Sequence, residues 1–225
     1  MFQKAKRVDT KFKVAMTGPS GSGKTYSALT FAKGFGGKIA VLDTENMSSN
    51  LYADKFEFDV VPVSAPYSVE KYISIMQESI KAKYDVLIID SLSHAWTGSG
   101  GVLDQKTQLD AKGGNSYTNW ARFTPLQERL IETIKSAPIN IIATMRSKQG
   151  YVIKENEQGK KVPVKVGLEP IQRDGVEYEF WIVFDMLMNH HYQTSKDRTG
   201  MYDGKSHLIT EDTGKQLKTW ITKGV

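Results

Sequence analysis

The stretch GPSGSGKTYSAL, residues 18–29, follows a short apolar run and matches the phosphate-binding pattern G-x-x-x-x-G-K-[ST]. In such loops the glycines let backbone N–H groups turn toward phosphate oxygens, and the following helix adds its dipole. The Lys of the pattern reaches the β- and γ-phosphates, and the Thr hydroxyl binds Mg²⁺. The pattern therefore predicts a nucleoside triphosphate site with these contacting residues: Gly18, Pro19, Ser20, Gly21, Ser22, Gly23, Lys24, Thr25 and Tyr26.

Two carboxylates elsewhere in the chain suit the same chemistry. A phosphate loop needs a carboxylate on the metal side at the end of a neighbouring strand, and Asp90 ends the apolar run YDVLIID. We predict that Asp90 and Thr25 hold the metal. Hydrolysis also needs a group that orients the attacking water, and Ser91, next after Asp90, is not an acid. The best candidate is Glu45 in AVLDTENMSS, and the second candidate is Asp43.

The chain around these residues alternates between strand and helix patterns. Predicted strands are KFKVAMTG, KIAVLD, FEFDVVPV, YDVLIID and INIIAT, and predicted helices cover 24–33, 68–83 and 120–136. This alternation predicts an α/β fold with a mostly parallel sheet flanked by helices. FWIVFDMLM and YQTSKDR predict a C-terminal antiparallel hairpin with a tight turn at 189–190, and a short final helix covers 211–223.

Two stretches interrupt this rhythm. Residues 97–119 hold five glycines and no clean period, and residues 146–175 are charged and punctuated by glycine and proline. We interpret both as irregular functional loops within one domain, residues 1–225, whose core spans about 11–200.

Composition excludes several classes of protein. The chain of 225 residues has no cysteine, which excludes disulfides, thiolate metal sites and thiol catalysis. No apolar run reaches the roughly 20 residues that cross a bilayer, and the polar start lacks a signal-peptide core, so we expect a cytoplasmic protein. The net charge of +5 favours a polyanionic partner, although only modestly. The four histidines form no ligand pattern, and His94 has no assigned role.

The order of these motifs resembles the RecA/RadA ATPase core: a glycine loop, D-T-E at the end of the next strand, and an apolar strand ending in D-S. In that family the glutamate of the second strand is the catalytic base, and Glu45 stands in its place. The resemblance therefore implies a P-loop NTPase of RecA-like type that uses ATP and Mg²⁺. Arg146 lies where the family senses the γ-phosphate, and Gln149 is a second possibility.

The resemblance also implies a homo-oligomer, ring or filament, with composite ATP sites. Residues 194–200, TSKDRTG, resemble the K-x-R element through which a neighbouring subunit of RecA-fold motors supplies positive charge. This assigns Lys196 and Arg198 to the catalytic site of the next subunit. Two residues apart on one strand, they are expected to share a face.

The two irregular stretches lie where RecA proteins carry their DNA-contacting loops. Residues 146–165 hold six basic side chains against two acids, and an aromatic ring there is suited to stack on a base. The predicted DNA-contacting residues are Lys112, Arg122, Lys148, Tyr151, Lys154, Lys160, Lys161 and Lys165. Lys106, Tyr117 and Trp120 are further candidates in the first stretch.

A narrower resemblance covers nearly the whole chain, residues 11–224. DTEN, DSLSHAW, TMRSK, QRDGVEYEF and SKDRTG are similar to the minimal RecA-core ATPases of phage recombination modules, which include ATP-dependent single-strand annealing proteins. This implies single-stranded DNA as the partner, with a phage single-strand-binding protein as a further candidate. Two alternatives stay open: a helicase-like motor or helicase loader, and a nucleotide switch that acts through protein–protein contacts.

Overall fold

A computed structural model describes residues 10–155 and 161–223, with the backbone alone at 151–155 and 161–166. Within these described residues nine strands form the sheet in the order β3-β2-β4-β5-β1-β7-β8-β9, with β6 paired to β5 off this path. The strands are β1 (Lys13–Gly18), β2 (Ile39–Asp43), β3 (Asp59–Pro62), β4 (Val86–Asp90), β5 (Asn140–Glu155), β6 (Lys161–Pro170), β7 (Ile182–Met186), β8 (His191–Asp197) and β9 (His207–Leu208). The helices are α1 (Lys24–Phe35), α2 (Val69–Lys81), α3 (Ser93–Thr97), α4 (Val102–Ala111), α5 (Ser116–Ser136) and α6 (Glu211–Thr222).

Parallel pairing brings the predicted site residues to one edge of the sheet. Asp43 at the end of β2 lies beside Asp90 at the end of β4, and Gly18 at the end of β1 lies beside Arg146 of β5. Because the strands of this group run in the same direction, their carboxyl ends form a common ligand-binding edge. This mostly parallel sheet, with antiparallel β8 and β9 after it, confirms the predicted fold class.

The central strands β1, β2 and β4 are buried on both faces, as their near-continuous apolar sequences indicate. In β4, Leu87 and Ile89 face a core shared with α2, α3 and α5. Val86 and Ile88 face the opposite core, which α1 and α6 cover. Among the described residues, no helix is both long enough and apolar enough to cross a membrane.

The first stretch that we interpreted as an irregular loop, residues 97–119, is mostly helical. It contains the end of α3, all of α4 and the first turn of α5, which begins four residues before the predicted start and places Pro125 in the helix interior. The Asp110 carboxylate ties the α4–α5 junction together: it forms an ion pair with Lys106 and accepts hydrogen bonds from Ser116 and Asn119. These side-chain bonds between neighbouring turns explain why a glycine-rich stretch folds.

The prediction of an irregular loop at 146–175 is also wrong, because much of this range forms strands. β5 continues to Glu155 and pairs antiparallel with β6, from Ser147 opposite Pro170 to Glu155 opposite Lys161. Valines alternate with other residues at 162, 164 and 166, which is the period of a strand. Pro163 is tolerated because β6 is an edge strand.

Candidate active site

The glycine loop joins β1 to α1 in the conformation that phosphate binding needs. Gly21 (φ 81°) and Gly23 (φ 85°) both adopt the left-handed region, which residues with a Cβ rarely enter. Among the described residues, no side chain caps the start of α1 at Gly23. The first N–H groups of a helix lack partners within it, so this end of α1 suits an anion.

Lys24, the lysine of the phosphate pattern, curls back over the loop. Its Nζ donates to the carbonyl oxygens of Gly18 (3.0 Å) and Pro19 (2.8 Å). Burial lowers the pKa of Lys24, while the nearby carboxylates of Asp90 and Glu45 act in the opposite direction. The ammonium group therefore lies at the loop, in the midst of the predicted catalytic residues.

Asp90 and Thr25 meet as predicted for a metal pair. The Thr25 hydroxyl donates to Asp90 Oδ2 at 2.6 Å, and the Thr144 hydroxyl donates to Oδ1 at 2.5 Å. Burial raises the pKa of Asp90, and the two hydroxyl hydrogen bonds partly oppose that rise. A divalent cation beside this buried carboxylate would favour its ionised form.

The oxygen donors of Thr25 and Asp90 fit Mg²⁺, which commonly takes one or two protein oxygens and completes its shell with phosphates and water. The described residues contain no cluster of three or more His, Cys, Asp or Glu side chains that would form a metal cage. The geometry therefore suits a metal that arrives with the nucleotide.

Glu45 and Asp43 have different surroundings, which separates the two candidates for the water-orienting group. The Asp43 carboxylate is buried and accepts from the backbone N–H groups of Glu45 (2.7 Å) and Ser49 (3.0 Å), and from the Ser49 hydroxyl. It thus shapes the turn after β2. Glu45 is only partly buried and lines the pocket, where Ser91 Oγ lies 3.4 Å from its Oε1.

Arg146, the predicted γ-phosphate sensor, contacts the predicted base directly. Its Nε donates to Glu45 Oε1 at 2.9 Å, and a terminal guanidinium nitrogen donates to Oε2. This hydrogen bonding raises the pKa of Arg146 above its ordinary value. The backbone N–H of Arg146 donates to Ser93 Oγ at 2.9 Å, which anchors the strand beside β4.

These residues line one cavity of about 660 Å³ that runs across the start of α1. Tyr26 lies at its rim, 41% exposed, in edge-to-face contact with Tyr52 (centroids 5.5 Å apart). The sequence prediction missed the lining residues Ser48, Tyr52, His190, Leu208 and Ile209. The last three come from the β7–β8 turn and from β9 onward, and no local motif linked those segments to the glycine loop.

Lys196 and Arg198 lie at the other edge of the sheet from this cavity. β8 runs antiparallel to β7, so Lys196 pairs with Val183 and Asp197 with Ile182, near the start of β7. The five residues of β7 span roughly 16 Å at the usual rise of a strand. The two basic side chains are therefore far from the pocket of their own chain.

The predicted shared strand face is wrong for Arg198, because β8 ends at Asp197 and Arg198 follows it, exposed. Lys196 Nζ donates to the carbonyl oxygens of Tyr178 and Glu177, the latter at 3.4 Å. Burial lowers the pKa of Lys196, and the neighbouring Arg198 adds to this effect. Of the two, Arg198 is the freer to contact another molecule.

The predicted DNA-contacting residues divide into two groups by accessibility. Lys112 and Arg122, near the α4–α5 junction, and Lys148 on β5 are exposed. Lys106 and Trp120 are engaged internally: Lys106 is buried, pairs with Asp110 and lies over the Trp120 ring at 5.2 Å, and Trp120 stacks on Trp96. We therefore remove Lys106 and Trp120 from the DNA candidates.

Four of the other DNA candidates belong to the strands of the β5–β6 hairpin. Tyr151 and Lys165 are register partners on its two strands, and Lys154 and Lys161 also lie on these strands. Their side chains, like the whole of Lys160, are outside the described residues. Tyr151 and Lys154 therefore lie on the same strand as Arg146, and Lys161 and Lys165 lie on the strand that pairs with it.

The family of AAA domains has a model that matches residues 10–218. This chain belongs to the AAA domain family. The match spans the glycine loop, Glu45, Asp90, Arg146 and both basic residues of the K-x-R element, so it supports a nucleotide-hydrolysing P-loop function. No curated protein matches the sequence. In this AAA domain protein Ser91 occupies the position after Asp90, and the acid that lines the cavity together with Asp90 is Glu45, two residues after β2 ends at Asp43.

Proposed function

We propose that this AAA domain protein is an ATP- and Mg²⁺-dependent single-stranded DNA-binding recombinase or annealing protein, which hydrolyses ATP at interfaces between identical subunits. The phosphate half of this proposal is supported by the meeting of four predicted residues in one cavity: Lys24, Thr25, Glu45 and Asp90. Their chemistry covers phosphate binding, metal binding and water activation.

In the proposed reaction each side chain has a distinct task. The Lys24 ammonium neutralises the β- and γ-phosphate oxygens. Mg²⁺, held by Thr25 and Asp90, would neutralise charge that develops on the phosphates. Glu45 orients the attacking water and accepts its proton. Arg146 donates to both carboxylate oxygens of Glu45, and its guanidinium group is suited to transfer these hydrogen bonds to the γ-phosphate of a bound nucleotide.

One observation carries the DNA half of the proposal: β5 runs without a break from the site into the basic hairpin. Arg146 touches Glu45, and Lys148, two residues later on the same strand, is exposed. Residues two apart on a strand share a face. A polyanion bound along the hairpin would therefore act on the same strand that holds the Glu45 carboxylate.

The position of Lys196 and Arg198 supports the proposal that ATP is hydrolysed at interfaces between subunits. In their own chain they are separated from the cavity by the length of β7. A role at a γ-phosphate therefore requires a second copy that presents this edge to the cavity, as in a head-to-tail assembly.

The deciding experiment measures ATP turnover with and without single-stranded DNA, together with mass in solution. We expect oligomers, Mg²⁺-dependent turnover that the DNA stimulates, and DNA binding that weakens steeply with salt because phosphate contacts release counterions. Turnover and binding that ignore the DNA would overturn the DNA half and favour the nucleotide switch. Directional unwinding of a duplex would instead favour the helicase-like motor.

A further inference from the structure

A buried polar layer lies directly behind Glu45 and Asp90. Thr44, the residue before Glu45, is 2% exposed. Its backbone N–H donates to the Asp90 carbonyl oxygen at 2.6 Å, and the Ser91 N–H donates back to the Thr44 hydroxyl at 2.8 Å. Thr44 therefore links the end of β2 to the end of β4 by two hydrogen bonds, next to the residues that carry the Glu45 and Asp90 carboxylates.

His94 adds a third contact to this layer. Its Nδ1 lies 2.6 Å from the Thr44 hydroxyl oxygen, and its ring stacks on Tyr67 with centroids 4.9 Å apart and planes 18° apart. Stacking fixes the plane of the ring, so Nδ1 points at the hydroxyl. The cavity is lined by Glu45 and Asp90 and not by His94, so we treat His94 as a residue that acts through Thr44.

The Thr44 hydroxyl has one proton and several possible acceptors. The His94 Nδ1 contact at 2.6 Å is shorter than those to the carbonyl oxygens of Asp90 (3.1 Å) and Ser91 (3.5 Å). Burial lowers the pKa of His94, which favours the neutral ring that can accept at a nitrogen. A hydroxyl that donates to Nδ1 has its lone pairs free to receive the Ser91 N–H.

We propose that His94 is a positioning residue for ATP hydrolysis, acting through Thr44 to fix the separation between Glu45 and Asp90. The inference rests on the hydrolysis part of the proposed function and not on the DNA part. Its physical basis is that a catalytic carboxylate displaced by about 1 Å loses roughly 100-fold in rate. Thr44 bonds the backbone of Asp90, the proposed metal ligand, and outer-shell partners of metal ligands are worth about 10- to 100-fold in metal affinity or activity.

The test compares variants that remove the hydrogen bond with variants that restore it. His94→Phe keeps the ring that stacks on Tyr67 and removes Nδ1, whereas His94→Asn restores a polar atom near that position. Thr44→Val removes the hydroxyl at nearly constant shape, and Thr44→Ser restores it. Thr97→Val is the control for the same chemical change elsewhere, because Thr97 is exposed and its hydroxyl donates to the Ser93 carbonyl of its own helix, α3.

We expect His94→Phe and Thr44→Val to lower kcat by about 10- to 100-fold, with KM for ATP within about twofold. His94→Asn and Thr44→Ser should recover most of the rate, and Thr97→Val should match the wild type. The double variant His94→Phe/Thr44→Val should be no slower than Thr44→Val alone, because both changes break one interaction.

An unchanged kcat in His94→Phe, an additive loss in the double variant, or no recovery in His94→Asn would overturn the inference. Thermal unfolding shows whether Thr44→Val is folded. If it is not, the comparison of kcat between His94→Phe and His94→Asn still tests the inference. All rates are measured without DNA. A wild type that hydrolyses ATP but ignores DNA would therefore remove the DNA proposal and leave this one intact.

Discussion

Arg146 and Glu45 form a two-pronged ion pair across the carboxyl edge of the sheet, from β5 to the turn after β2. Both oxygens of the proposed base are thereby engaged by a residue of the strand that becomes the basic hairpin. The pair therefore joins the two activities that we propose, water activation and DNA binding, through one guanidinium group. We therefore expect a substitution of Arg146 or a shift of its strand to alter the position of the Glu45 carboxylate.

We predict that Arg146→Ala uncouples hydrolysis from DNA. The DNA-stimulated turnover should fall by about 100-fold or more, which is the effect of removing one preorganised donor. The residual rate should be the same with and without single-stranded DNA, because the hairpin has lost its contact to Glu45. Arg146→Lys keeps the charge but not the two-pronged geometry and should be intermediate. Normal stimulation by DNA in Arg146→Ala, with DNA binding verified separately, would contradict this coupling.

Glu45→Gln should retain ATP and lose turnover. The amide has the shape of the carboxylate but accepts no proton, so kcat should fall by about 100-fold or more, as for loss of a general base. Nucleotide affinity, measured by fluorescence titration, should stay within a few-fold. Asp43→Asn is the contrasting variant: its carboxylate accepts from Glu45 N and Ser49 N, so we expect a lower unfolding temperature. Undiminished turnover in Glu45→Gln would remove Glu45 from its role.

The chemical groups of the site were predictable because each follows a short local signal. Lys24 and Thr25 belong to one contiguous pattern, Asp90 ends an apolar strand, and Glu45 follows the end of another by two residues. Parallel strands end at the same edge, so the strand pattern alone brings these four residues together. The β2–β4 register of Asp43 with Asp90 confirms this expectation.

What the sequence did not predict depends on contacts between distant segments or between neighbouring helices. The hairpin was missed because charged residues and prolines weaken the strand pattern at 146–175, although pairing with β6 overrides them. Lys106 looked like a DNA contact because residues 97–119 were not predicted to be helical, so neither its i,i+4 partner Asp110 within α4 nor the Trp120 ring of the packed α5 was foreseen. His190 and Leu208 enter the cavity through the order of strands, which no motif encodes.

Lys148→Ala should weaken single-stranded DNA binding and reduce its salt dependence. One lost phosphate contact lowers the slope of log K against log salt by roughly 0.7, the value for single strands. Lys81→Ala is the matched control, because Lys81 is also exposed but ends α2, on a different element from the hairpin. Equilibrium binding at several salt concentrations checks the prediction. If the slope of log K against log salt is the same for both variants and the wild type, Lys148 does not contact the DNA.

Arg198 should act in the site of a neighbouring subunit. Because Arg198 is exposed while Lys196 is held by the Tyr178 carbonyl, Arg198→Ala should lower kcat more than Lys196→Ala, with nucleotide affinity unchanged in both. An arginine that stabilises charge on a transferred phosphoryl group is worth about 10³-fold or more.

The arrangement between subunits can be read by mixing two inactive variants, Glu45→Gln and Arg198→Ala. In a random one-to-one mixture, about a quarter of head-to-tail interfaces combine an intact Glu45 with an intact Arg198 of the next copy. We therefore expect the mixture to recover up to about a quarter of the wild-type turnover, while each variant alone stays inactive. The double variant Glu45→Gln/Arg198→Ala mixed with the wild type controls for simple dilution. No recovery in the mixture, with mixed oligomers confirmed by mass, would show that Arg198 does not complete a neighbour's site.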